Sequence, residues 1–132
     1  MDEIVLKQER ADCINAAVGW WEKSITNYKS PNNPLDWLER LGLKKIKEKE
    51  LQIFHEALTE VICTNLEQYN FVQLYVRSGS PCFLLCHALK DAGIYNRTAE
   101  LGEIDMIICD REVVVSSDET NHYRTIWSRD YF

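Results

Sequence analysis

The apolar residues of this chain first change their spacing near residue 70, and that change restricts the fold more than any other feature. Between about Lys47 and Gln68, the residues Leu51, Phe54, Leu58, Val61, Ile62 and Leu66 recur every three or four positions, the repeat of a helix with one buried stripe. Directly afterwards, Phe71-Val72-Gln73-Leu74-Tyr75-Val76 is short, β-branched and aromatic, the composition of a strand. A helical stripe followed by a strand face asks for one core shared by both, which is an α+β arrangement.

The remaining elements fit around that junction. A helix is expected from about Glu3 to Tyr28, with Ile4, Cys13, Ile14, Ala17, Trp20, Trp21 and Ile25 toward one side. Ser30-Pro31-Asn32-Asn33-Pro34 stops it, because two prolines with turn formers between them cannot continue a helix. Asp36 to Gly42 reads as a short helical turn closed by its glycine. After the Phe71–Val76 strand, Ser80 reads as an N-cap, Pro81 as the first helical residue and Gly93 as the stop of a helix from Pro81 to Ala92. Strands follow at Ile104–Cys109 and Glu112–Ser116. Asp110-Arg111 is not a favoured two-residue hairpin turn, which points to a longer loop or a bulge there. His122 to Trp127 supplies a fourth strand. The expected fold is one α+β domain over residues 1–132. Two N-terminal helices and one further helix pack on a small, mainly antiparallel sheet of three or four strands.

Charge narrows the function. The 132 residues carry 15 Lys+Arg against 21 Asp+Glu, a formal charge of −6, so the summed field repels a nucleic-acid backbone. Lys44, Lys45, Lys47 and Lys49 form the one basic run, and Glu48 and Glu50 interrupt it, as in a solvated helix start. The N-terminus opens acidic, with no signal-peptide pattern, and no apolar run reaches the roughly 20 residues of a membrane span. A cytosolic protein is expected. Its odd set of cysteines, Cys13, Cys63, Cys82, Cys86 and Cys109, is then read as small buried hydrophobes, and the sequon Asn96-Arg97-Thr98 as unmodified.

Three chemical constellations stand out, all near the strand–turn–helix junction. Cys82 at a helix start could have its thiolate favoured by the dipole, with His122 as a base oriented by Asp105 or Asn121. Papain-like and NlpC/P60 hydrolases place a nucleophile so, yet Ser-Pro-Cys-Phe matches no motif of theirs. Cys82, Cys86 and His87 share a helix face but lack the second ligand pair of a zinc site, so no metal and no cofactor are expected. Arg77, Ser78, Gly79 and Ser80 could cradle an anion through backbone N–H groups, though they lack a P-loop's length and lysine. The aromatic residues offer another kind of site. Adjacent Trp20 and Trp21 diverge by about 100° on a helix, so one of them lies at the edge of the core. Together with Trp37, Trp127, Tyr131 and Phe132 they are candidate partner-binding anchors.

The order Trp20-Trp21, the Phe71–Val76 strand, Ala92-Gly93-Ile94 and the Met106–Val115 hairpin with its tail to Trp127 resembles small uncharacterised proteins encoded by phages and prophages. The Lys-Thr pair and Gly-Tyr-Gly segment of those proteins are absent around the hairpin. The resemblance implies a mobile-element origin and carries over no catalytic residue. The expectation is a non-enzymatic acidic protein that blocks another protein, as an anti-defence inhibitor of anti-CRISPR type or an immunity protein does. A nucleic-acid-binding enzyme with a basic groove would suit its charge. The alternatives are a small hydrolase using Cys82 and His122, and a homodimer joined through the aromatic tail.

Overall fold

The computed structural model describes residues 3–26, 46–99, 101–117 and 122–129, with side chains from residue 8 onward. In chain order the elements are α1 (Glu3–Thr26), α2 (Glu48–Tyr69), β1 (Phe71–Arg77), β2 (Ser80–Pro81), α3 (Phe83–Asp91), a 3₁₀ turn (Tyr95–Thr98), β3 (Ile104–Cys109), β4 (Glu112–Ser117) and β5 (Arg124–Ser128). The sheet runs β2-β1-β3-β4-β5, and every neighbouring pair is antiparallel. Three helices packed with this sheet make the α+β fold, with one strand more than expected among the described residues.

Alternation decides which face of the sheet is covered. Val72, Leu74 and Val76 of β1, Ile104, Met106 and Ile108 of β3, and Val113 and Val115 of β4 are all buried and all lie on one face. Phe54, Leu58, Ile62 and Leu66 of α2, four residues apart and 0% exposed, meet that face. Cys13, Ala17, Trp21 and Ile25 of α1 and Leu85, Ala88 and Leu89 of α3 join the same cluster. Each buried Val, Leu, Ile, Phe or Met side chain among them contributes about 1.5–3 kcal/mol. Trp21 is fully buried and Trp20 half-buried, as the divergence of helical neighbours requires. The rings stand edge to face, 5.1 Å between centroids.

Short joints fix the geometry. Asn70 takes a left-handed conformation, φ 67°, and its N–H donates to the Leu66 carbonyl at 3.0 Å, so β1 begins on the next residue. Gly93, φ 74°, ends α3 as expected. Its N–H donates to the Lys90 carbonyl and that of Ile94 to the Leu89 carbonyl, at 3.0 and 2.9 Å, the paired bonds of a Schellman stop.

Two local expectations are corrected. Ser80 and Pro81 do not open a helix. They pair with Arg77 and Val76 as β2, because Ser78 and Gly79 both take positive φ, 51° and 82°, and close a two-residue hairpin. Cys82 becomes the N-cap, its N–H donating to the Tyr75 carbonyl at 2.8 Å. The β3–β4 connection is only Asp110 and Arg111, neither at positive φ, and the irregularity falls between Val113 and Val114 on the β4–β5 side. The expected turn at Asp36–Gly42 and the Ser30–Pro34 stop lie outside the described residues.

Candidate functional site

Because all three helices serve one face of the sheet, no described helix covers the other. Cross-strand pairing places Phe71 beside Cys109, Gln73 beside Ile107 and Tyr75 beside Asp105, and Ile107 and Asp105 beside Val114 and Ser116. One half of this open face is apolar, through Phe71, Ile107 and Val114. The other half is a polar and aromatic network. Asp105 accepts from Gln73 Nε2 at 2.9 Å on one oxygen and from the Tyr123 hydroxyl at 2.7 Å on the other. The Arg77 guanidinium lies over the Tyr75 ring, 4.8 Å from its centroid. The Asp105 hydrogen bond, above all, holds the Tyr123 phenol above the usual tyrosine range. Phe71 is 54% exposed and Tyr123 47%.

The helical side differs in character. Glu48, Gln52, Glu56, Glu60 and Thr64 follow one another at spacing four along the exposed side of α2, with Glu67 beyond them. The inward row, Phe54 to Leu66, has the same spacing on the opposite side. The four exposed glutamates form an acidic ridge.

The candidates singled out in the sequence are distributed as follows. Cys82 is buried, and its Sγ accepts the Tyr75 N–H at 3.5 Å. His122 is exposed and precedes β5, whereas Cys82 follows β2, so β1, β3 and β4 lie between them. At about 4.8 Å per strand this is roughly 19 Å between backbones, and the two are not brought together. Cys86 is half-buried, and His87 faces Asp91 at 3.4 Å. Among the described residues no group of three or more His, Cys, Asp or Glu side chains could hold a metal. Trp127 is half-buried and packs against the core, while Trp37, Tyr131 and Phe132 lie outside the described residues.

The Ser78–Ser80 turn does hold a carboxylate, and it belongs to the chain itself. The Ser78 N–H and hydroxyl both donate to Glu103 Oε1, at 2.8 and 3.1 Å. Behind the turn, Thr98 Oγ1 donates to the Gly79 carbonyl at 2.9 Å. A cleft of about 290 Å³ beside them is lined by Ser78–Pro81 and by Tyr95, Asn96, Thr98 and Ala99.

Two features escape the sequence reading. The open face needs the strand register to assemble it from Phe71, Tyr75, Asp105 and Tyr123. The other is Arg97, 7% exposed in a segment that reads as a polar loop. Its one available signal was the three-residue spacing from Ile94, which is buried. The chain matches no protein-family model and no curated protein.

Proposed function

We propose that this protein is a non-enzymatic, acidic binding protein that inhibits or neutralises another protein by occupying its surface. The observation that carries the reading is that the described helices all cover the sheet from one side. Phe71 and Tyr75 on β1, Ile107 on β3 and Val114 on β4, with Tyr123 hydrogen-bonded to Asp105 just before β5, form a ring-bearing platform. The acidic ridge on α2 and the −6 charge add a long-range field that favours a basic partner, such as the groove of a nucleic-acid-binding enzyme, and speeds encounter. A phage or prophage origin and action in the host cytosol belong to the same proposal. The hydrolase alternative finds no support in the placement of Cys82 and His122.

Binding to a panel of purified nucleic-acid-processing enzymes, at low and high salt, tests the proposal. A cognate partner should bind less tightly as salt rises and should be displaced by duplex DNA. Replacing Phe71 and Tyr75 by alanine should speed dissociation, because the platform holds the complex. Replacing Glu56, Glu60 and Glu67 by glutamine should slow association and flatten the salt dependence. Salt-independent binding that ignores both sets of substitutions removes the reading.

A further inference from the structure

β2 flanks β1 along only its last two residues, through the pairs Val76 with Pro81 and Arg77 with Ser80. One residue further back, the Cys82 N–H donates to the Tyr75 carbonyl at 2.8 Å and the Cys82 Sγ accepts the Tyr75 N–H at 3.5 Å. The chain then leaves the sheet as α3. The Tyr75 backbone groups therefore point away from β3, and alternation along the strand turns those of Phe71 and Gln73 the same way. Among the described residues no backbone group pairs with Phe71 or Gln73 on that side. Nor is this edge guarded as free edges usually are. Phe71, Val72 and Gln73 include no lysine or proline, and their pairing with β3 runs without a bulge. The opposite edge shows the contrast, since β5 carries an exposed Arg124 and pairs with β4 through the irregularity at Val113 and Val114.

We infer that this edge takes a short extended segment of the partner protein, which adds to the sheet as a strand beside β1. The inference rests on the proposed function and supplies the mode of its contact. Unpaired N–H and C=O groups at strand spacing are matched by another extended backbone, which pairs with them whatever its sequence. Between Phe71 and the block at Cys82 there is room for about three or four residues, at about 3.4 Å each. Side chains of the added strand opposite Phe71 and Gln73 fall on the open face and continue the platform, so apolar residues are expected there. Exposed rings stand at both ends of the slot: Tyr69, 57% exposed, two residues before Phe71, and Phe83, 85% exposed, directly after Cys82. A second copy of this chain does not fit. Antiparallel pairing with Phe71 opposite Gln73 sets Tyr69 of the second copy opposite Tyr75, a place that Cys82 fills, and it brings two charges of −6 together. The same charge favours a basic segment.

The test titrates the full chain with a blocked pentapeptide of alternating valine and lysine, and with the same peptide N-methylated at its valines. In the free protein the Phe71 and Gln73 amides should exchange with solvent quickly, while those of Leu74 and Val76, which face β3, exchange slowly. The peptide should slow Phe71 and Gln73 about tenfold at saturation and move both amide resonances saturably, and the N-methylated peptide should do neither. Gln73→Pro removes the central N–H at a position where edge strands tolerate proline. It should abolish binding, whereas Gln73→Ala, which loses the same side chain and keeps the N–H, should still bind and should melt close to Gln73→Pro. The inference fails if the peptide leaves both amides unmoved, if the N-methylated peptide binds equally, or if Gln73→Pro still binds. It also fails if Gln73→Pro melts far below Gln73→Ala, since the N–H is then engaged inside the fold. Slow exchange of both amides in the free protein gives the edge to the chain itself, and a sedimenting dimer that Gln73→Pro separates gives it to a second copy. Either result overturns the inference. The proposed function is judged separately, because a cognate partner held by Phe71 and Tyr75 alone is indifferent to Gln73→Pro.

Discussion

The two ends of the sheet are closed by different means. At the β3–β4 end, charged side chains tie helix to strand. Arg10 of α1 grips Asp110 through two hydrogen bonds of 3.1 and 3.0 Å, Arg129 meets Glu9 at 2.7 Å, and the Cys13 thiol donates to the Cys109 carbonyl at 3.1 Å. At the β1–β2 end the groups that are held belong to the backbone of a turn. The Ser78-Gly79 turn lies against Ala99, Glu103 fills its amide, and Thr98 holds its carbonyl. Arg77, directly before the turn, joins the closure only through its backbone, which pairs with Ser80.

Breaking the backbone-closed end should cost most. At Gly79, φ 82° disfavours any side chain, and a Cβ would stand 2.5 Å from the Ala99 carbonyl oxygen, which is backbone and cannot rotate aside. Gly79→Ala should therefore destabilise the protein by roughly 3 kcal/mol, combining left-handed strain with a displaced strand–turn contact. Urea unfolding measures it. A loss under about 1 kcal/mol would mean that the turn and the 3₁₀ segment separate easily, and that the tight closure is not a structural requirement.

The same residues show what a sequence can and cannot disclose. Long helices and strands were legible because each repeats its signal. The spacing of four in α2 and the apolar run of β3 are visible without partners, and β3 spans the expected residues Ile104–Cys109. The β1–β2 turn was misread because Ser-Pro ahead of an apolar run is a sound helix start. Only the pairing of Ser80 with Arg77 outweighs that local preference. Glu103 in the turn and the burial of Arg97 within the 3₁₀ segment were illegible for a related reason. The Glu103 contact joins residues 25 apart, and an isolated charged residue such as Arg97 carries no periodicity.

At the side-chain-closed end, the largest effect should come from alkali. Burial pushes the Cys13 thiol up to about 12, from an ordinary value of 9.0, with Asp110 and Cys109 adding smaller upward pushes. The native state thus keeps a proton that the unfolded chain releases above pH 9. Stability from this group is complete below that pH and declines as pH rises toward about 12. The loss should reach roughly 1 kcal/mol by pH 10. The stability difference between wild type and Cys13→Ala should shift by that amount between pH 8 and pH 10, and parallel curves would show that Cys13 ionises freely in the native protein. The Arg10–Asp110 pair, about one-third exposed on each side, should contribute less, about 0.5–1 kcal/mol in a double-mutant cycle at low salt. Arg10→Met should lower the melting temperature by removing that pair.

The smallest effect lies on the open face, and it separates platform from closure. Tyr123 is held above the usual tyrosine range chiefly because its hydroxyl donates to Asp105, which strengthens when the phenol keeps its proton. Asp105→Asn removes the charge that disfavours phenolate, so the Tyr123 titration, followed by ultraviolet absorbance, should move down toward the ordinary value while the melting temperature scarcely changes. Tyr123→Phe should leave stability equally intact. If either substitution instead unfolds the protein, Asp105 and Tyr123 belong to the closure of the sheet and not to a surface available for contact. The platform would then shrink to Phe71, Tyr75, Ile107 and Val114, and affinity for a partner should depend on those residues alone.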